Sequence, residues 1–167
     1  MSKLPRTPYD TVIVSGGFDP VHIGHIRMIL DAAEHGDVIV VVNSDDWLMR
    51  KKGYIFMPWE ERAEILGAIR GVISAERVDD TDGTVCEAIR SFKPTYFANG
   101  GDRKTDNTPE MNVCKELGVQ LLWNVGGGKI QSSSNLVEAS GMVMDTESDD
   151  PDLPRPSSVE VITSKKA

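Results

Sequence analysis

No stretch of this chain approaches the roughly 18 consecutive apolar residues of a membrane-crossing helix, so a soluble globular protein is expected. Its opening, MSKLPRTPYD, has no apolar core of the signal-peptide kind, and the expected location is the cytoplasm. Cysteine is scarce. Cys86 and Cys114 stand far apart with neither a CxxC pair nor zinc spacing, and they read as small buried residues in a reducing compartment. An excess of positive charge is also missing. A formal net charge of −8 argues against a nucleic-acid partner, whose phosphate backbone demands a basic face. A small phosphorylated ligand is still allowed, because it needs only a local basic pocket. There is no internal repeat, no GxGxxG after the first apolar run, and no KMSKS motif. The glycine run VGGGKI is not a Walker loop: Trp123 stands where the earlier glycine belongs and Ile130 where Ser or Thr would meet magnesium.

At 167 residues, 40% hydrophobic and 26% charged, the chain has the length and composition of a single domain with a real core. TVIV (11–14) and DVIVVV (37–42) are continuous, β-branched apolar runs, the pattern of strands buried on both faces of a parallel sheet. Between them, residues 25–36 place Ile26, Ile29, Leu30 and Ala33 on one helical face, with Gly36 as the expected C-cap. The alternation continues. A helix is predicted after Pro58 with Ile65, Leu66 and Ile69 as its stripe, then a strand at 72–78 and a helix at 83–92. A strand at 95–100, a helix at 108–117 closed by Gly118, a strand at 119–125 and a short helix in SSSNLVEAS complete the pattern. Five strands alternating with helices predict an α/β fold, an open doubly wound five-stranded parallel sheet. The expected domain is 1–142, and the acidic, Pro- and Ser-containing segment 143–167 reads as a mostly disordered tail.

Ligands of such sheets sit beyond the carboxyl ends of the strands, and unusual sequence gathers there. SGGFDPVHIGH (15–25) puts Gly16 and Gly17 where backbone N–H groups approach a ligand closely, ahead of a helix N-terminus. His22 and His25, three apart around Gly24, face one spot at the mouth of that helix. NSDDWLMRKKG (43–53), read as a loop after the second strand, carries Arg50, Lys51 and Lys52. Arg62 follows on the next helix, NGGD (99–102) ends the fourth strand, and three glycines lead to Lys129 and to Ser132, Ser133 and Ser134. Hydroxyls and free N–H groups at that last helix start make a second expected phosphate site.

GGFDPVHIGH resembles the GxFDxxHxGH signature of the cytidylyltransferase-like nucleotidyltransferases, and SSS occupies the place of that family's ISTT-type motif. The likeness runs from about residue 11 to 140, with KKG, EERAEIL, NGGD and SSS in order. Within the family, VVNSDD, KKG, EERAEILGAI and GGD are most similar to the adenylyltransferase of heptose 1-phosphate. Glycerol-3-phosphate and ethanolamine-phosphate cytidylyltransferases come next. The resemblance implies a Rossmann-like fold, a homodimer, and magnesium-dependent transfer of AMP or CMP from ATP or CTP to a phosphorylated small molecule, with release of pyrophosphate. A sugar phosphate is the favoured acceptor, and no protein residue is assigned as a metal ligand.

By the same resemblance His22 and His25 bind the triphosphate and stabilise the transition state, Lys51 or Lys52 neutralises the α-phosphate, and Arg62 holds nucleotide or phosphates. Gly16, Gly17 and Phe18 line the nucleotide site with backbone, and Asp19 and Gly24 join them from the same loop. Gly101 and Asp102 sit by the base and ribose, and Ser132, Ser133 and Ser134 bind the β- and γ-phosphates. The glycerol-type enzymes carry an Arg-Thr-Glu-Gly run where this chain reads GGGKIQ, with Lys129 displaced from the arginine's position, so base and acceptor stay open. A catalytically idle nucleotide-binding module is the alternative of another class. The chemistry itself needs positioning and charge neutralisation rather than a nucleophilic Ser or Cys, because the acceptor phosphate is already an anion.

Overall fold

A computed structural model of the chain describes residues 6–100, 108–128 and 130–141. The first βαβ unit is β1 (Thr11–Gly16), α1 (Ile23–Ala32) and β2 (Asp37–Val42), followed by α2 (Asp45–Lys52) and α3 (Trp59–Gly67). Then come β3 (Val72–Glu76), α4 (Cys86–Phe92), β4 (Tyr96–Gly100), α5 (Pro109–Leu117), β5 (Gln120–Val125) and α6 (Ser133–Ala139). The five strands form one sheet in the order β3-β2-β1-β4-β5, and every pairing is parallel. This is the doubly wound α/β sheet expected, and β1 and β4 flank the point where the strand order reverses.

The apolar runs explain why the sheet sits in the middle. Val12, Val14, Val38, Val40 and Val42 point to one face, where Ile29 and Ala32 of α1 and Leu66 of α3 cover them. Ile13, Ile39, Val41 and Phe97 point to the other, under Ala88 and Ile89 of α4 and Val113 and Cys114 of α5. Successive strand residues alternate sides, so only a continuous β-branched run can fill both cores. Each fully buried Val or Ile contributes about 1.5–3 kcal/mol.

The segment expected as a loop after β2 is instead helix α2, and its ends show why. Ser44 Oγ accepts from Trp47 N at 3.0 Å, and Asp45 and Asp46 occupy the first turn. Arg50, Lys51 and Lys52 fill the last turn, and Gly53 closes it at φ 81°. Those charges match the helix dipole at both ends, so the basic cluster is a helix C-terminus. A second difference concerns Gly36. α1 already ends at Ala32 with Ala33 as its C-cap, and Gly36 serves close approach instead, since a Cβ there would stand 2.6 Å from Asp10 O. Nor do the predicted helix stripes hold throughout: Ile65 is 44% and Leu30 38% exposed, because the cores take Leu66 and Ala32 in their place. The segment 143–167 lies outside the described residues. Among the described residues no helix is long and apolar enough to cross a membrane.

Candidate active site

The loop from β1 into α1 is built around a capping box made of histidines. His22 is the N-cap, and its Nδ1 accepts from Gly24 N at 3.0 Å. His25, three residues on, returns the bond: its Nδ1 accepts from His22 N at 3.2 Å. Ser or Thr and then Glu ordinarily fill these roles. A neutral imidazole carries one N–H, so rings accepting at Nδ1 hold it at Nε2. Both histidines therefore offer an Nε2–H donor beside the positive end of α1.

The two rings stack with centroids 3.7 Å apart and planes 23° from parallel. Phe18 meets His25 edge-on at 4.8 Å. Phe18 itself is 2% exposed and held at φ 53°, a left-handed conformation unusual for a bulky residue. Burial, then the nearby His22 ring, then the Lys52 ammonium push the His25 pKa down to about 3. His25 is thus a neutral donor across the physiological range, and its stacking against His22 is free of like-charge repulsion.

These residues line a cavity of about 320 Å³. Lys52 reaches it from α2, Trp47 from the same helix, Gly126, Gly127 and Gly128 from the loop after β5, and Ser132, Ser133 and Ser134 from the start of α6. None of the described lining residues is acidic, which suits an anionic occupant. Burial lowers the Lys52 pKa; Asp19 works against this and Arg62 adds to it. Lys51, by contrast, is exposed, with its ammonium 5.9 Å from the Trp47 ring centroid. Of the two candidate lysines the fold brings Lys52 to the cavity. Lys52→Met is expected to lower turnover at least about tenfold and Lys51→Met less than about twofold, a split that steady-state kinetics on both variants checks.

The glycines act through space. A Cβ on Gly24 would stand 2.9 Å from His22 Cε1, and one on Gly17 would meet Leu48 Cδ2 at 3.0 Å and Trp47 Cζ3 at 3.2 Å. Gly126, at φ 82°, has Met28 Cα 2.8 Å from where its Cβ would be, and its N–H donates to Asp31 Oδ2 at 2.8 Å. Gly24→Ala should displace the His22 ring and cost on the order of tenfold to a hundredfold in turnover, with an unchanged circular-dichroism spectrum. A Cβ on Gly16 would touch the Phe18 ring at 3.4 Å, so that residue seats the aromatic rather than the cavity itself.

Two expected ligand contacts occupy supporting positions. Arg62 is 0% exposed and does not line the cavity. Its guanidinium donates to Gly17 O at 2.6 Å, Asn43 O at 2.8 Å, Met57 O at 2.9 Å and Asp45 Oδ1 at 2.6 Å. Asp19, also 0% exposed, accepts from Phe56 N at 2.7 Å and Met57 N at 2.6 Å. Both tie the histidine loop to the segment before α3. On α6, Ser132 caps the helix by accepting from Asn135 N at 3.0 Å, and Ser133 Oγ donates to Pro20 O at 2.7 Å. Gly101, Asp102 and Lys129 lie outside the described residues. Trp47, Met28 and Gln131 were not foreseen as lining residues, and reading 43–53 as a loop hid the first.

Fold and cavity together define an α/β protein with an anion-receptive site at the carboxyl edge of its sheet. Residues 13–139 match the cytidylyltransferase-like family, and the chain belongs to that family. It is 34% identical over 114 residues to the bifunctional protein HldE of Gluconobacter oxydans, covering 66% of this chain and 23% of that protein. It is also 34% identical over 112 residues to the FAD synthase of Pyrococcus abyssi, covering 66% of this chain and 75% of that protein. Among solved structures it is similar to a lipopolysaccharide core biosynthesis protein of Thermoplasma volcanium. That likeness has a TM-score of 0.60 at 25% identity, and covers 73% of this chain and 98% of the other. The chain spans about a quarter of the length of the HldE proteins it matches.

Proposed function

We propose that this chain is a nucleotidyltransferase that moves AMP from ATP to a phosphorylated small molecule, a sugar phosphate by preference, and releases pyrophosphate. The observation that carries this reading is the histidine capping box. It fixes two neutral Nε2–H donors side by side at a helix N-terminus, in a cavity shared with Lys52. In the transfer an acceptor phosphate oxygen bonds to the α-phosphorus while the bond from that phosphorus to its bridging oxygen breaks. Pyrophosphate leaves with the electron pair. No proton has to be removed from the acceptor, so the site needs donors and positive charge rather than a base. His22 and His25 donate to the phosphate oxygens, and Lys52 adds its charge beside them. The start of α6 receives the departing phosphates.

Magnesium enters as part of the substrate. Among the described residues no group of three or more His, Cys, Asp or Glu forms a metal cage, and the described cavity lining offers hydroxyls and imidazoles instead. That donor set suits Mg²⁺ carried on the triphosphate oxygens, the usual state of this ion at phosphate sites. Adenine as the base rests on the FAD synthase relatives, since FAD is FMN extended by AMP. A sugar acceptor draws on the lipopolysaccharide-core neighbour. The family pattern suggests a homodimer acting in the cytoplasm.

The test is a pyrophosphate-release screen crossing ATP, CTP, GTP and UTP with heptose and other sugar phosphates, glycerol 3-phosphate, ethanolamine phosphate and FMN. Magnesium-dependent release with ATP and a sugar phosphate is the expected result. A folded protein that binds ATP yet releases no pyrophosphate with any of these acceptors would point to the idle nucleotide-binding module instead.

A further inference from the structure

Helix α2 brings Trp47 and Lys52 to the cavity, yet little apolar packing holds it there. It is eight residues long, five of them are charged, and Leu48 is its one buried residue. A helix this short is unstable alone in water, and an apolar face packed on the core ordinarily supplies what propensity does not. With one buried leucine for such a face, α2 depends on polar ties for its place.

Those ties converge on Asp80, in the loop after β3 and 3% exposed. Its Oδ2 accepts from Ser44 N at 2.8 Å and from Asn43 Nδ2 at 3.1 Å, and its Oδ1 accepts from Ser44 Oγ at 2.7 Å. Ser44 is the N-cap of α2, and the same Oγ accepts from Trp47 N, so the carboxylate fixes the cap that starts the helix. At the other end Arg50 donates to the Asp80 carbonyl oxygen at 2.8 Å and stands 3.9 Å from its Oδ1. Arg62 also holds the first turn, through Asp45 Oδ1. Among the described residues, however, the side-chain hydrogen bond from the last turn to another element is the one from Arg50 to Asp80. Asp80 is itself held firmly. Val78 and Val85, on either side of it, pack into the core under α4 and α5. Its carbonyl also accepts from Gly83 N at 2.9 Å, while Asp79 Oδ1 accepts from Thr81 N at 3.1 Å and Asp82 Oδ1 from Thr84 N at 2.8 Å. A buried carboxylate bonded at both oxygens, in a loop closed on itself, is a fixed point for α2.

We propose that Asp80 is a positioning residue for the transfer, setting where the Lys52 ammonium stands by holding both ends of α2. This role rests on the transferase reading above. Asp80 does not line the cavity, so its effect travels through the helix and not by contact with substrate. Lysine is a point charge on a flexible stem, and it meets a phosphate reproducibly only when its backbone is fixed. Adjacent residues stand about 100° apart around a helix, so a modest rotation of a loosened α2 carries Lys52 away from the cavity.

A double-mutant cycle on the full chain isolates this role, with kcat measured on ATP and the best acceptor of the pyrophosphate screen. Asp80→Asn keeps the size but leaves one acceptor oxygen in place of two. Arg50→Met removes only the tie at the last turn, from a side chain that is 49% exposed, and serves where Asp80→Asn fails to fold. With Lys52 in place, Asp80→Asn is expected to lower kcat about tenfold and Arg50→Met about threefold, with KM for ATP within about twofold. In the Lys52→Met background both changes should leave kcat within about twofold, because a charge that is gone cannot be misplaced. Hydrogen exchange followed by mass spectrometry should quicken across α2 in the variants and stay unchanged across β1 and β2. An equal loss in both backgrounds, a normal kcat in whichever variant folds, or unchanged exchange across α2 would overturn the proposal. A wild type that releases no pyrophosphate with any acceptor overturns the transferase reading instead, and exchange then decides by itself whether Asp80 holds α2.

Discussion

His25→Ala is expected to lower kcat at least about a hundredfold, the effect of deleting one preorganised donor aimed at developing negative charge. The magnitude follows from the way the ring is fixed. Its Nδ1 is committed to His22 N, its face to the His22 ring, and its edge to Phe18, so the Nε2–H costs no reorganisation when charge shifts onto the leaving phosphates. Near-normal turnover in a folded variant would end the transferase reading. His22→Ala should cost as much in kcat and also about 1 kcal/mol of stability, because it strips the N-cap of α1.

The same burial has a pH signature. His25 titrates at about 3 when folded, against 6.5 as its ordinary value. On acidification the unfolded chain takes up this proton first. The stabilisation from a neutral buried His25 is therefore complete above about pH 6.5 and is lost progressively as pH falls toward 3. Melting curves between pH 7 and pH 4 should fall less steeply for His25→Ala than for the wild type. Wild-type turnover should show no acid limb near pH 6.5 that His25→Ala abolishes.

Much of this was legible in the sequence, and the reasons are specific. β-branched runs such as DVIVVV have one structural solution, a strand buried on both faces, so strand number and parallel class followed directly. The histidine pair was legible because a spacing of three around a glycine turns both rings to one spot at a helix mouth. That the two rings cap each other was not, since histidine is a rare substitute for Ser and Glu in those roles. Helix α2 was lost because three adjacent basic residues read as solvated loop, although Ser44, Asp45, Asp46 and Gly53 spell both helix ends. Arg62 looked like a phosphate ligand because a motif shows charge but not burial.

Arg62 carries the second large effect, on stability. Arg62→Met should destabilise the fold by about 3–5 kcal/mol in urea titrations, the scale of breaking a buried charged network. A well-packed apolar residue often replaces a buried ion pair at little cost, because both charges can be removed together. Here that compensation is unavailable. Three of the four acceptors are main-chain carbonyls, Gly17 O, Asn43 O and Met57 O, which no side-chain change can remove and which a methionine leaves unbonded. The fourth, Asp45, is 36% exposed and recovers water when the arginine is gone. Asp45→Asn should therefore cost far less than Arg62→Met, and this ordering assigns the energy to the carbonyls rather than to the ion pair. Arg62→Lys keeps the charge but has no planar fork to span carbonyls on three segments, so it should fall nearer to Met than to wild type. Since those carbonyls belong to the histidine loop, the end of β2 and the segment before α3, any activity lost by Arg62→Lys should return in part at low temperature. A direct phosphate contact would show no such recovery, and that comparison separates a strut beneath the site from a ligand within it.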